Sequence, residues 1–552
     1  MDYKIMLPQT IWQDYDPSQE ELGAKLVGEQ INDNVITKNY RFIALTTDDG
    51  NIDVAVKVVS PLDGSDRAVV IVEEYHREPS EELVLDLVAS GYVVIIPDIS
   101  GVHSTPTTFP ESLYYGAYDK AGEHIEKVSP TAKDTCQYLY AIIVKRALEF
   151  VKKELNVQEI ALVGLGNAVE VAMIVAGTGA DVKGLACING AGYREYIRLN
   201  KYGSEKELVL DEERMCWLTG IASVAYAKHV KAPTFIALGS NSELVDMDRV
   251  ENLTALLESD THIVISPMAG NFILPDAYLG FKIWLKSIFD DRILPEIPKI
   301  DIRVSEEGKI YFDVDCDPSA MVNKVVVYYS TGDYNHEIRA WNKEDGICIS
   351  FNNEYIASPA VYDEKAPLFA YAEVQYESGL TLTSLPEYVE LKGLPVIPCA
   401  KKKIGRNAII YQPSQEKGNF VEDCDKEVLM ARGIEMFKTK RGAMGVKSKH
   451  GALKTYHFAP SVGENEEKIL QIDIYTEEFT RACVTLYVDT EDGTRAYTAE
   501  DNVQDTKGLF VSYMFKKSDF KDNKLMPLTD WAEVKALSVK GEGIAISNIL
   551  FI

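Results

Sequence analysis

Between residues 67 and 289 the chain alternates short, fully apolar runs with segments of helical spacing, and that alternation limits its fold more than any other feature. RAVVIVEEY (67–75), GYVVIIPDIS (91–100), EIALVGL (159–165), VKGLACING (182–190), APTFIALGS (232–240) and HIVISPMAG (262–270) read as strands. SEELVLDLVAS (80–90), the stretch from Tyr138 to Lys153, NAVEVAMIVAG (167–177) and AYLGFKIWLKSIF (277–289) repeat apolar residues at helical spacing. A strand without polar alternation must be buried on both faces, so strands of this kind separated by helices predict a doubly wound, mostly parallel sheet. DRILPEIPKI (291–300) ends the pattern with two prolines and places a boundary near residue 295.

Beyond that boundary the period changes to two. KIYFDVDCD (309–317), KVVVYYSTG (324–332), ICISF (347–351) and PLFAYAEVQY (367–376) alternate apolar with polar residues between turn signals, as in a β-sandwich of the fibronectin or immunoglobulin type. LPVIPCAKKK (394–403) reads as a second linker. The strands after it, among them KILQIDIYTEE, RACVTLYVDTEDG and AISNILFI, predict a jelly-roll-like unit. At roughly 100 to 200 residues per domain, 552 residues accommodate three units, 1–295, 296–395 and 396–552. Asp313, Asp315 and Asp317 imitate the start of a calcium loop, but Pro318 stands where the turn needs Gly, and their alternation is that of a strand face.

Charge narrows the partners. With 57 Lys+Arg against 85 Asp+Glu the chain carries −28, which repels phosphate backbones and anionic lipid and argues against nucleic-acid or membrane partners. Residues 401–450 are the local exception, with 12 Lys+Arg and 6 Asp+Glu, a balance of 12 − 6 = +6 that reads as solvated surface. No apolar run reaches the roughly 18 residues a membrane crossing needs, and the N-terminus lacks an export pattern. Eight cysteines (136, 187, 216, 316, 348, 399, 424 and 483) stand singly, with no C-x-x-C pair and no His at ligand spacing. These features predict reduced thiols, a cytoplasmic location and no metal site.

The segment EIALVGLGNAVEVAMIVAG runs strand, Gly-rich turn, helix. It resembles the nucleophile elbow of α/β-hydrolases, in which G-x-S-x-G exposes a serine on a strained turn; here the five residues are Gly164-Leu165-Gly166-Asn167-Ala168. HREPS (76–80) is similar in position to the loop that supplies half of that family's oxyanion hole. GYVVIIPDISG (91–101) resembles its strand-and-turn after that loop, and the N-terminal extension resembles those of acyl-esterase and dienelactone-hydrolase-like members. The resemblance covers roughly residues 40–290. It implies a triad whose nucleophile position is Gly166, whose acid position is Ser242 in Gly239-Ser-Asn-Ser-Glu-Leu-Val245, and whose base position is Asn271 after Gly270. Glycine has no side chain to attack with, and an asparagine amide has no useful basicity. Glu243 and Asp246 are near enough to substitute for the acid.

The expectation that follows is a catalytically degenerate hydrolase, a pseudo-esterase that binds a small-molecule or carbohydrate ligand or a protein partner, with no cofactor. Candidate cleft residues are His76, Asn167, His103, Ser104, Tyr115 and Glu243. Tyr114, Tyr115 and Tyr118 lie in a long loop, FPESLYYGAYDKAGEH (109–124), of the kind that covers a pocket. The alternative is an active esterase or other hydrolase, on carbohydrate or acyl esters, with a relocated nucleophile: Ser100, Ser104, Ser242 or Cys187, served by His76 or His103. A minor alternative is dinucleotide binding, since Gly164-x-Gly166-x-x-Val169 partly fits G-x-G-x-x-G/A; Val169 and the acid-free end of the next strand count against it. The ligand and the oligomeric state stay open.

Overall fold

The computed structural model describes residues 2–552 apart from positions 33, 191, 197, 198, 204, 205, 362, 400–408, 425–428 and 459–467. Three antiparallel strands come first: β1 (Lys25–Asn32), β2 (Val35–Thr47) and β3 (Gly50–Pro61). Six further strands complete the sheet: β4 (Arg67–Val72), β5 (Val93–Pro97), β6 (Glu159–Leu165), β7 (Gly184–Ile188), β8 (Thr234–Gly239) and β9 (Thr261–Ser266). Their order is β1-β2-β3-β5-β4-β6-β7-β8-β9, parallel from β5 onward. This is the expected doubly wound, mostly parallel sheet, with the strand order of the α/β-hydrolase fold. The N-terminal extension supplies its antiparallel edge, with β3 antiparallel to β5.

Four helices matter to the site: α1 (Glu81–Ala89), α2 (Cys136–Lys153), α3 (Val169–Gly177) and α4 (Pro275–Phe289). Ser80 and Thr135 cap the first two, accepting the Leu83 and Tyr138 N–H groups. Ala68, Val70 and Val72 of β4 join the cluster beneath α2 and α3, and Val69 and Ile71 join the one beneath α1 and α4. Strand alternation therefore feeds two apolar layers from one uninterrupted run, which explains why β4 reads as a continuous hydrophobic string.

Residues 299–390 form two antiparallel sheets, of four and five strands, and residues 409–551 form two more, of six and five. Among the described residues both stretches are thus built of paired antiparallel sheets, the all-β character expected of the C-terminal half. Both apolar layers of the N-terminal α/β unit run on into the following β unit, one through Phe369 and Tyr371, the other through Phe312, Val327 and Leu382. The C-terminal sheets enclose a separate core around Trp531, Leu486 and Ile549. Asp313 sits on the strand Ile310–Asp315, where Arg303 holds its carboxylate at 2.6 and 2.9 Å.

Two expectations change in detail. The segment 109–124 folds into short helical turns, Glu111–Gly116, Tyr118–Ala121 and Gly122–Glu126, because its closely spaced tyrosines pack on one another and on His124. The strand read at 91–100 ends at Pro97, since the buried Asp98 carboxylate then accepts the N–H groups of Ser100, Gly101, Val102 and Thr107 and bends the chain. Among the described residues no helix is long and apolar enough to cross a membrane, and no disulfide joins any two of the cysteines.

Candidate functional site

In an open α/β sheet, the crevice lies outside the carboxyl ends of the strands where successive connections leave in opposite directions. Here β4 connects through α1 to β5 on one side, and β6 connects through α3 to β7 on the other. The segments leaving that point are Glu73-Glu74-Tyr75-His76 and Gly166-Asn167.

Gly166 has φ +56°, and residues 166–168 make one tight turn before α3. That is the strained strand-to-helix geometry of an elbow. Gly164 lets α3 settle close on β6, since a β-carbon there would lie 2.8 Å from the Val169 Cα. A β-carbon on Gly166 would lie 1.7 Å from Glu74 Oε1. The Asn167 N–H donates to that same oxygen across 2.7 Å, and the Tyr75 hydroxyl donates to the Asn167 carbonyl at 2.9 Å. Glu74 thus fills the volume that any side chain at residue 166 would use and takes the Asn167 N–H. Burial raises its pKa above the usual carboxylate range, against the Asn167 N–H and the Arg77 charge.

At the far end of the crevice Ser242 is buried, and its hydroxyl donates to Asn271 Oδ1 at 2.9 Å. The Glu243 N–H donates to the same Asn271 oxygen at 3.0 Å. Asn189, which follows β7, links the two ends: its amide donates to the Asn271 carbonyl at 3.1 Å, and its neighbour Gly190 lies against the Gly166 carbonyl. Behind the elbow, Glu170 of α3 is fully enclosed, with Arg194 Nη1 3.6 Å away. Its pKa is pushed up to about 8 by burial, with Arg194 opposing. Glu170 Oε2, Asn189 Oδ1 and Glu195 Oε2 are buried without a hydrogen-bond partner.

The other candidates spread along the rim. His76 is exposed with its ring 5.9 Å from Tyr118, and His103 is half-buried with Nε2 4.0 Å from Asp98. Ser104 is exposed, and its N–H donates to Glu78 at 2.5 Å. Tyr115 is half-buried and stacks on His124 at 5.0 Å. Asp246 faces the sandwich, 3.1 Å from Arg249 Nε and 3.5 Å from His336 Nδ1. Among the relocated-nucleophile candidates, Ser100 is buried and donates to the Tyr75 carbonyl at 2.6 Å. Cys187 lies inside the sheet, its thiol pushed up to about 12 by burial.

Sequence reasoning passed over Glu74, Glu170, Asn189 and Arg194. Glu73-Glu74 at the end of a wholly apolar strand was the available signal, because a carboxylate carried into that position needs a partner. Among the described residues one group brings three metal-ligating atoms together: Glu422, Cys424 and His450, in the C-terminal unit. Their spacing hid them, since they flank neighbouring antiparallel strands. His450 also lines a cavity of about 570 Å³ with Lys447, Lys449, Arg481 and Lys540, where part of the basic stretch 401–450 gathers.

No family model and no curated protein matches the sequence. Among solved structures, the acetyl xylan esterase of Paenibacillus sp. R4 is similar at 15% identity and a TM-score of 0.37, over 49% of this chain and 90% of that one. Acetyl xylan esterase 1 of Thermoanaerobacterium sp. JW/SL YS485 gives 14% and 0.39, over 52% and 95%. A glucuronoyl esterase of Solibacter usitatus gives 10% and 0.35, over 50% and 88%. The α/β-hydrolase fold of this chain rests on its own strand order, its crossovers and the turn at Gly166.

Proposed function

We propose that this chain is a catalytically degenerate α/β-hydrolase, a pseudo-esterase that keeps the crevice for binding a small-molecule or carbohydrate ligand or a protein partner. One observation carries the proposal. The Glu74 carboxylate lies where the side chain of residue 166 would begin, and it takes the Asn167 N–H. A substrate carbonyl would meet an anion in that place instead of a nucleophile and a free donor, so neither attack nor oxyanion stabilisation is served. The Ser242–Asn271 pair adds support, because neither group can take a proton from a nucleophile at neutral pH.

Less favours a relocated nucleophile. The Ser100 and Ser242 hydroxyls donate to the Tyr75 carbonyl and to Asn271, and Cys187 is enclosed in the sheet. Among the described residues no hydrogen bond joins the hydroxyl or thiol of Ser100, Ser104, Ser242 or Cys187 to a histidine. The test is exposure of the full chain to a fluorophosphonate serine-hydrolase probe and to p-nitrophenyl acetate. The expected result is no labelling and no turnover above background; stoichiometric labelling of any one serine overturns the proposal.

A further inference from the structure

The chain segment after the strand Phe420–Glu422 and the one before the strand Ala452–Thr455 are neighbours, because the two strands pair antiparallel with Glu422 opposite Leu453. That pairing brings Cys424 beside His450, although 26 residues separate them in sequence. His450 Nδ1 lies 3.1 Å from Glu422 Oε2 and 3.6 Å from Cys424 Sγ, and all three ligand atoms fall within 4.8 Å of one another. Ligand atoms around a tetrahedral zinc ion, with bonds of about 2.0–2.3 Å, sit about 3.3–3.6 Å apart. The two separations from His450 Nδ1, 3.1 and 3.6 Å, are close to that spacing, and the third is within 4.8 Å.

The donor chemistry agrees. Thiolate, imidazole and carboxylate together suit zinc better than calcium or magnesium, which want oxygen alone. Glu422 is 3% exposed and its orientation is fixed. The Arg432 and Gly433 N–H groups donate to Oε2 at 2.7 and 2.8 Å, and the Ser448 hydroxyl and His450 N–H donate to Oε1 at 2.8 and 2.9 Å. Ligating carboxylates are commonly held in this way by an outer set of donors. His450 and Cys424 are only half-buried, which leaves room for water as a fourth ligand. One carboxylate and one thiolate cancel the charge of the ion, so the nearby Lys447, Lys449, Arg481 and Lys540 would meet a neutral centre.

Position gives the site a consequence for the crevice. Cys424 packs against Ala269, Phe272 and Ala431, and Ile273 exchanges backbone hydrogen bonds with Leu429 and Ala431 at 2.9 and 3.1 Å. The loop held there is the one that carries Asn271. We propose that Glu422 Oε2, Cys424 Sγ and His450 Nδ1 form a structural zinc site that ties the C-terminal β unit to the Asn271 loop.

The test uses the full chain with Cys348→Ser and Cys399→Ser, which remove the two exposed thiols. Titration with Co²⁺ is expected to saturate at one equivalent with a thiolate-to-cobalt absorption band. Cys424→Ser should abolish that band, His450→Ala should weaken binding at least tenfold, and Zn²⁺ should raise the thermal midpoint of the parent but not of Cys424→Ser. X-ray absorption of the zinc-loaded parent needs no variant and should show one sulfur with nitrogen and oxygen neighbours. An absent band, a band that survives Cys424→Ser, or a zinc shell without sulfur overturns the proposal and leaves a plain Glu422–His450 contact.

Discussion

The Ser242 hydroxyl donates to Asn271 Oδ1 across 2.9 Å, so the pair at the end of the crevice has the reverse polarity of a triad's acid and base. In a triad the carboxylate accepts from the imidazole N–H; here Ser242 donates and Asn271 accepts. The Asn271 oxygen is held in that role by a second donor, the Glu243 N–H.

Reversing one partner alone should therefore be harmful. Ser242→Asp sets two acceptors against each other in a buried place, and rotating the Asn271 amide would turn its NH₂ toward the Glu243 N–H. A loss of about 1 to 3 kcal/mol is expected. Adding Asn271→His restores a donor opposite the new carboxylate, and the double variant should recover part of the loss, with a coupling of about 0.5 to 3 kcal/mol. Urea denaturation of the four proteins of this cycle measures it; strictly additive losses would mean that the two positions do not face each other in solution.

A second expectation concerns pH. Glu170 has an ordinary pKa of 4.5, and burial pushes it up to about 8 in the folded chain. The folded state then binds more protons than the unfolded state between those values, so this group lowers stability as pH rises from about 4.5 to 8. Glu170→Gln imitates the protonated form. The variant should match the parent near pH 5 and exceed it above pH 8, by thermal or urea unfolding at each pH. A variant that falls below the parent only as pH rises above about 4.5 would place the Glu170 charge in a favourable pairing with Arg194.

The sheet and its crossovers were legible because each strand is one apolar string and each helix a spaced repeat, both local patterns. The elbow was legible for the same reason: Gly164, Gly166 and Ala168 are local demands of a tight turn and a close helix. Ser242 and Asn271 could be named from order along the chain, but not their hydrogen bond, which depends on how the loops after β8 and β9 meet. Glu74 was missed because its partner, the Asn167 N–H, is 93 positions away and belongs to the backbone. Glu422, Cys424 and His450 were missed for a related reason, since antiparallel pairing and not spacing brings them together. The continuity of the apolar layers into the sandwich was hidden as well, because two prolines near residue 295 mark a change of pattern and say nothing of packing across it.

That continuity has a polar counterpart. Asp248 of the N-terminal α/β unit grips Arg339 of the following β unit in two parallel hydrogen bonds of 2.8 and 2.7 Å, with the guanidinium 3.6 Å from the Phe369 ring centre. The two side chains are 2% and 0% exposed. Asp248→Asn leaves a buried guanidinium unpaired and should cost about 3 to 5 kcal/mol. Arg339→Met together with Asp248→Asn removes both charges and should cost less than Asp248→Asn alone. Denaturant midpoints decide it, and an Asp248→Asn loss below that of an exposed pair would mean that the seam admits water.

The last expectation asks whether a nucleophile can be installed at residue 166, and Glu74 sets the condition. Gly166→Ser alone carries the strain of a side chain at positive φ, about 1 to 3 kcal/mol, and in addition drives a β-carbon into Glu74 Oε1. It should fold poorly and react with nothing. Glu74→Ala clears the volume and frees the Asn167 N–H, so the pair Gly166→Ser with Glu74→Ala should be more stable than Gly166→Ser by itself. With Ser242→Asp and Asn271→His added, hydroxyl, imidazole and carboxylate stand in the order a triad needs, beside an open donor. Fluorophosphonate labelling at residue 166 of that fourfold variant is the expected outcome, with little or none when Glu74 is kept. If the fourfold variant folds, regains stability through Glu74→Ala and still resists the probe, then positions 166, 242 and 271 do not converge on one reacting centre, and the crevice was not built around an ester.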